Sequence, residues 1–298
     1  MTRFFAAPTD ISGGTIRLSA EDSAHIRSLR LRPSELFIVC DGNGLDHLCR
    51  LEDKTPTESG NSWTESGNRG GRDNSFAVIV ETRPSAGEPS VSCEMFIAFA
   101  KAERLDYAVQ KSVELGAFSI VLFPSARSVS LPHDAEKKAA RLQRVALETA
   151  KQCGRGRVPA VSAAESFDEA VLMASGLSIA DGKIVEKNKS SEIKSSGTDR
   201  SETKRALTVN PRLSLFLYEG ETGLHLKKAL ENSEPGIRDK GLNTISIMTG
   251  PEGGFEPSEA EAAAAAGMTP VTLGPRILRC ETAPVAALAA VMFYTGNM

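Results

Sequence analysis

Two segments near the C-terminus end apolar strands on glycine and carry residue types suited to holding a small ligand. In the first, Thr244 to Thr249 runs into Gly250-Pro251-Glu252-Gly253-Gly254, and Pro257 then opens an Ala-rich helix that ends at Gly267. Three glycines there let the backbone approach a ligand and expose amide N–H groups, in the place where open α/β sheets bind ligands. The segment has neither the GxGxxG pattern nor the GK[ST] of a P-loop, which counts against dinucleotide and triphosphate binding. In the second, Pro270 to Leu273 leads into Gly274-Pro275-Arg276-Ile277-Leu278-Arg279-Cys280-Glu281. Thr282 is placed to cap a final helix, with Pro284 in its first turn. The apolar pair Ile277 and Leu278 could seat a flat heterocycle, and Arg279 could meet a phosphate or carboxylate bidentately. Each segment also has a packing explanation, a tight turn in the first and an Arg276 to Glu281 surface pair in the second. Read together they outline a pocket.

Other chemistry finds less support. The four histidines, His25, His47, His133 and His225, do not cluster in sequence or near the glycine loops, so metal and His-based catalysis are not expected. The five cysteines are scattered, odd in number and never spaced as a CxxC pair, which fits a reducing cytosol and neither a disulfide framework nor a zinc ribbon. No secretory signal is visible at MTRFFAAPTD, and no stretch approaches the roughly 18 apolar residues of a membrane span, so a soluble protein is expected. The formal net charge of -3 gives no bulk argument for nucleic acid. One local concentration of positive charge stands out: Arg27, Arg30 and Arg32 beside His25, with Arg3 and the aromatic pair Phe4 and Phe5 at the start. A solvated helix face explains the arginines equally well.

The elements that must position these residues fall into two groups. Ile16 to Leu18, Leu36 to Asp41, Leu45 to Leu51 and Phe76 to Glu81 read as short strands, with Asp41-Gly42-Asn43-Gly44 as a hairpin turn and one brief helix near His25. This predicts a small β-barrel domain over residues 1–88. From Cys93 the rhythm alternates. Strands are predicted at Glu94 to Ala100, Ile120 to Phe123, Leu213 to Tyr218, Thr244 to Thr249 and Pro270 to Leu273. Helices are predicted around Leu105 to Leu115, from Asp134 to Cys153, and from a Ser166-x-x-Glu169 capping box through Ala174. Continuously apolar strands are covered on both faces, so residues 89–298 are predicted to form an α/β domain with a parallel sheet. Residues 54–75, with an imperfect repeat of TESGN, and residues 182–208, rich in Ser, Lys and Glu, are expected to be mobile surface insertions without catalytic residues.

At the two glycine segments the sequence resembles the SPOUT superfamily of knotted methyltransferases, and within it the small-subunit ribosomal RNA methyltransferase E family. Matching stretches run through the chain: Arg3-Phe4-Phe5, HIRSLRLRP with His25 and Arg30, KAERLDYAVQKSVELGA, ALETAKQCGRGRVPAV, TGPEGGFEPSE and LGPRILRCETA. The two polar insertions, the acidic balance, Pro275 and Cys280 are departures. The resemblance implies a PUA-like β-barrel that helps bind RNA, followed by an α/β domain whose C-terminus is threaded into a trefoil knot, a topology that no periodicity could reveal. It further implies a homodimer without metal, acting in the cytoplasm on 16S rRNA in the small ribosomal subunit with S-adenosyl-L-methionine as methyl donor. Carried over by motif, the donor contacts Gly250, Pro251, Glu252, Gly253 and Gly254 in one loop, Leu273 and Gly274 at the next strand end, and Ile277, Leu278 and Thr282 beyond, with Leu217, Tyr218 and Glu219 completing the wall.

The implied reaction is methylation of uridine N3. In-line transfer from a sulfonium depends mainly on positioning the two reactants. The N3 of uracil must also lose its proton, so a base is required. Glu281 and Glu252 are the carboxylates nearest the expected pocket, and Glu281 is the base candidate. Arg279 would stabilise the uracil anion or hold the target phosphate. The target must be unpaired or turned out of its stack, leaving Arg3, His25, Arg27, Arg30 and Arg32 to meet the RNA, with Phe4 or Phe5 either stacking on a base or packing in the core. Methylation of another RNA base, and RNA binding without catalysis, are the alternatives.

Overall fold

A computed structural model describes residues 2–32, 34–51, 75–180, 183–186, 212–220, 224–239 and 243–298. The first polar insertion lies outside these residues apart from Ser75, and the second apart from Lys183–Glu186. The chain divides into two compact units, one of Met1–Glu88 with Leu147–Val158 and one of Pro89–Ala146 with Pro159–Met298.

In the first unit the order is β1 (Arg3–Phe5), β2 (Ile11–Ser12), β3 (Thr15–Arg17), α1 (Ala20–Ser28), β4 (Phe37–Cys40), β5 (Leu45–Leu51) and β6 (Phe76–Pro84). These strands form one sheet in the order β1-β4-β5-β6-β3-β2. The β1–β4 pair is parallel and the others are antiparallel. The β4–β5 hairpin turns through Gly42 (φ 75°) and Gly44 (φ 106°), in the left-handed region that glycine enters without steric cost. Alternating apolar residues bury one face of the sheet: Phe4, Ile16, Phe37, Val39, Cys49 and Ala77 pack with Leu18 and Ile26. Helix α1 begins where the Ser19 hydroxyl accepts the Asp22 N–H at 3.0 Å. It is followed by Arg30 at φ 53°, a left-handed position at which glycine is the usual occupant.

The second unit alternates strands and helices: β7 (Ser92–Ala98), α2 (Ala102–Glu114), β8 (Ser119–Phe123), α3 (Ala135–Cys153, counted with the first unit from Leu147 on), β9 (Ala160–Ala163) and α4 (Phe167–Ala174). It continues with β10 (Leu177–Ala180), β11 (Lys183–Glu186), β12 (Arg212–Leu217), α5 (Leu226–Asp239), β13 (Thr244–Thr249), α6 (Pro257–Ala265), β14 (Thr269–Val271) and α7 (Thr282–Tyr294). Its main sheet runs β14-β12-β13-β7-β8-β9 and every pair in it is parallel. Strands β12 and β13 are each buried along five of six residues, the signature of a sheet covered on both faces. Phe96, Phe123, Phe216, Met248 and Phe255 join the helices α4 and α6 in one core cluster. β12 and β14 are neighbours, as are β12 and β13, so three carboxyl ends meet at one edge of the sheet.

Three local expectations change. Lys183–Glu186, assigned by composition to a structureless insertion, pairs with Leu177–Ala180 as an antiparallel hairpin. The Ser166 hydroxyl accepts the Glu169 N–H as expected, but the Glu169 carboxylate reaches the N–H of Glu165 instead of closing the box on Ser166. Thr282 is the first residue of α7, not its cap; Glu281 occupies the cap position and contributes no side-chain bond there.

Candidate functional site at three strand ends

The carboxyl ends of β12, β13 and β14 surround a cavity of about 420 Å³. Its size is that of a small-molecule site. After β13 the chain turns at Pro251, whose carbonyl accepts the Gly254 N–H at 3.0 Å, with Gly254 at φ 67°. A Cβ built on Gly254 would come within 2.2 Å of Glu219 Oε1, so the two loops touch where the side chain is missing. Phe255 anchors the turn from below, buried against Phe216 at a ring separation of 4.3 Å. The buried Glu259 carboxylate accepts from the Ser125 hydroxyl and the Ala126 and Glu256 amides, which ties the start of α6 to the loop after β8.

The second loop leaves β14 through Thr272, whose hydroxyl accepts the Gly274 N–H at 3.2 Å, and Gly274 adopts φ 124°. The Tyr218 N–H donates to the Val271 carbonyl, and the Leu226 N–H to that of Thr272, fastening the β12 exit to this loop. The loop closes where the Arg279 carbonyl accepts the N–H groups of Thr282 and Ala283 at the start of α7. Ile277 is 83% exposed at this loop, and Arg279 is exposed with no ion pair among the described residues.

Most of the predicted pocket residues meet here. Leu217, Tyr218, Glu219, Gly250, Pro251, Glu252, Gly254, Leu273, Gly274, Ile277, Leu278 and Arg279 line the cavity. Gly253, Glu281 and Thr282 do not; Gly253 is backed by Arg127, whose Cβ lies 2.9 Å from where a Gly253 Cβ would be. Sequence reasoning missed Arg104, on α2, which also lines the cavity. Arg104 lies 3.8 Å from Glu252 Oε1 and 3.9 Å from Glu281 Oε2, and it donates to the Cys280 thiol at 3.9 Å. The only hint was its place in KAERLDYAVQKSVELGA, since nothing local links residue 104 to residues 252 and 281.

This charge network sets the ionisation of its members. Burial pushes the Cys280 thiol up to about 11, helped by its hydrogen bond to Glu281, so it is a protonated wall group and not a nucleophile. Burial also disfavours the Glu281 anion, but its own backbone amide, the Cys280 thiol, Arg104 and Arg279 together outweigh that and hold the carboxyl below its ordinary value. Among the described residues no group of three or more His, Cys, Asp or Glu could hold a metal ion. No helix among them is long and apolar enough to cross a membrane.

The N-terminal basic residues separate into two sets. Arg3 is turned inward, its guanidinium paired with Asp46 at 2.7 and 3.0 Å and only 14% exposed. Phe4 is core at 1% exposure, with the His25 ring edge-on at 5.7 Å. Arg3 and His25 line a second hollow of about 500 Å³ in the first unit, whereas exposed Arg27, Arg30 and Arg32 lie outside its lining.

Fold and pocket define a class: a parallel α/β protein that takes a small ligand between glycine-ended strand loops, beside an exposed arginine. The chain belongs to the family described as RNA methyltransferase domain, which matches residues 87–209 and 198–292. Ribosomal RNA small subunit methyltransferase E of Bacillus subtilis (strain 168) is 26% identical over 284 residues, 94% of this chain and 91% of that protein. Its Synechocystis counterpart is 28% identical over 290 residues, 97% of this chain and 76% of that one. A solved structure of the Neisseria gonorrhoeae enzyme of the same name, bound to S-adenosyl methionine, superposes with a TM-score of 0.66 at 26% identity, covering 98% of this chain and 97% of that one.

Proposed function

We propose that the protein methylates uridine N3 in 16S rRNA of the small ribosomal subunit, with S-adenosylmethionine as donor. The observation that carries this reading is the convergence of three strand ends on one cavity lined by both glycine loops and by Arg279. The donor fits the residues present: glycine backbone for close approach and the apolar Leu217, Leu273 and Leu278. Gly250, Pro251, Gly253 and Gly254, with the backbone of Glu252, form one wall, Leu217, Tyr218 and Glu219 a second, and Leu273, Gly274, Ile277 and Leu278 a third. Thr282 supports the third wall from the start of α7. When bound, the donor supplies an electrophilic methyl on a sulfonium. The chain's own contribution is to fix the acceptor in line, exclude water and meet charge on the uracil ring with Arg279.

The finer architecture belongs to the same reading. We infer that the C-terminal strands are threaded as a trefoil knot, that the sheet of the first unit is a PUA-like barrel reading RNA, and that the domain boundary falls near residue 88. A homodimer would cover Ile277 and Phe293, apolar residues 83% and 76% exposed. A ribosomal substrate points to the cytoplasm.

Purified protein, radiolabelled donor and either small subunits or naked 16S rRNA are expected to yield 3-methyluridine on mass mapping, with the protein sedimenting as a dimer. Label on another base would overturn the uridine assignment. Calorimetric heat with RNA but none with the donor would leave an RNA-binding protein without catalysis.

RNA contact by the first unit is assigned to Arg27, Arg30, Arg32 and His25. Arg3 is already committed to Asp46 and stays out of it. Arg30 offers a clean check, because its left-handed backbone is strained for any residue with a Cβ. Arg30→Gly should stabilise the fold by about 1 kcal/mol, since glycine relieves that strain. The same change should weaken RNA binding and lower its salt slope by about 0.7–0.9. A more stable variant with unchanged RNA affinity would remove Arg30 from the interface.

A further inference from the structure

The acceptor's proton needs a destination, and the cavity offers one that the sequence alone did not single out. Glu252 lines the cavity with its carboxylate divided between two environments. Oε1 accepts the Lys101 N–H at 3.0 Å and lies 3.8 Å from Arg104. Oε2 is shielded from solvent and has no hydrogen-bond partner among the described residues. A shielded carboxylate oxygen without a donor is costly unless a ligand brings one. Glu281 differs on each count. It does not line the cavity, its Oε2 accepts from the Cys280 thiol at 3.3 Å, and its depressed pKa makes it a weaker base.

We propose that Glu252, and not Glu281, is the general base, its Oε2 accepting the N3–H of the target uracil. This assignment rests on the uridine-N3 reading above and deepens it. As the reaction proceeds, the N3–H bond breaks and the proton passes to Glu252 Oε2. The electron pair left on N3 forms the new N–C bond, while the bond from that methyl to sulfur breaks and its pair stays on sulfur. The neutral thioether departs, and the protonated carboxyl returns its proton to solvent. Lys101 and Arg104 are positioning groups: both engage Oε1 and leave Oε2 without a partner among the described residues, the oxygen that the uracil would reach as it seats, and Arg104 places positive charge beside the carboxylate.

The test is Glu252→Gln, which keeps shape and the capacity to accept from Lys101 but cannot take a proton. Calorimetry with S-adenosylhomocysteine should give an affinity within about threefold of the parent, and circular dichroism an unchanged melting profile. Single-turnover methylation should fall by about 10²–10³-fold at neutral pH. The parent rate should be flat across neutral pH, whereas the variant's should rise about tenfold per pH unit as N3 ionises without help. RNA made with 5-fluorouridine, whose N3–H is more acidic, should recover most of the variant's loss.

An equal deficit on both RNAs, full activity at neutral pH, or a lost heat with S-adenosylhomocysteine would each overturn the assignment; the last would make Glu252 a donor-site residue. Failure of the parent protein to methylate any uridine N3 would instead overturn the underlying reading of function.

Discussion

Arg279→Ala is expected to lower methyl transfer to ribosomal RNA by about 10²–10³-fold while leaving donor affinity within about threefold. The guanidinium is exposed, lines the cavity and enters no ion pair among the described residues; within the protein its charge acts on Glu281 only through space. A positive group held that way stabilises negative charge that appears only as the reaction proceeds, or grips the phosphate that orients the target. Either role is made by the acceptor and not by the donor. Single-turnover rates and calorimetric titration of the same variant check it. Lost donor binding with a normal rate at saturation would place Arg279 in the donor wall. Arg279→Lys should recover only a small part, because a lysine keeps charge but not the bidentate fork.

The second large effect concerns stability. Glu88→Ala is expected to destabilise the first unit by about 3–5 kcal/mol. Its carboxylate accepts from Arg155 at 2.7 Å and 3.4 Å and from the Gly156 and Arg157 N–H groups at 2.9 and 3.0 Å. Arg155 is 3% exposed, so removing the acid takes two hydrogen bonds to a carboxylate from a shielded cation and that acceptor from two amides. Glu88→Gln should fall in between, since an amide oxygen still accepts. Scanning calorimetry measures both. A loss under about 1 kcal/mol for the alanine variant would mean that solvent or other partners replace the carboxylate.

The sequence was most readable where one physical cause acts alone. Thr244–Thr249 and Leu45–Leu51 occupy the predicted residues because an apolar or alternating run with a glycine at one end admits little else. Strands β1 and β2, of three and two residues, are too short to carry a period and exist through their pairing with β4 and β3. For the same reason Arg3 and Phe4 read as candidates for RNA, whereas β1 carries Phe4 into the core and Arg3 into an ion pair with Asp46. The pocket walls were recognisable because two glycine-ended strands occur together, although a tight turn or surface pairing would explain either one alone. Arg104 was not, since its partners lie at residues 252 and 281 and only the parallel sheet order brings them near. The same limit hid the open oxygen of Glu252, a fact of neighbours and not of residue type.

Strand order also bears on how the molecule is made. β13 lies between β7 and β12, so during synthesis from the N-terminus both earlier strands wait, each with an open edge, for residues 244–249 to emerge. Pairings of such long range form slowly and leave nascent chains prone to association. β14 and the loop to α7 come later still, so premature termination anywhere before residue 283 yields a chain that lacks part of its pocket lining. Competence to bind is thus reserved for chains translated almost to their last helix, and truncated products should be recognisable to quality control by their unpaired strands.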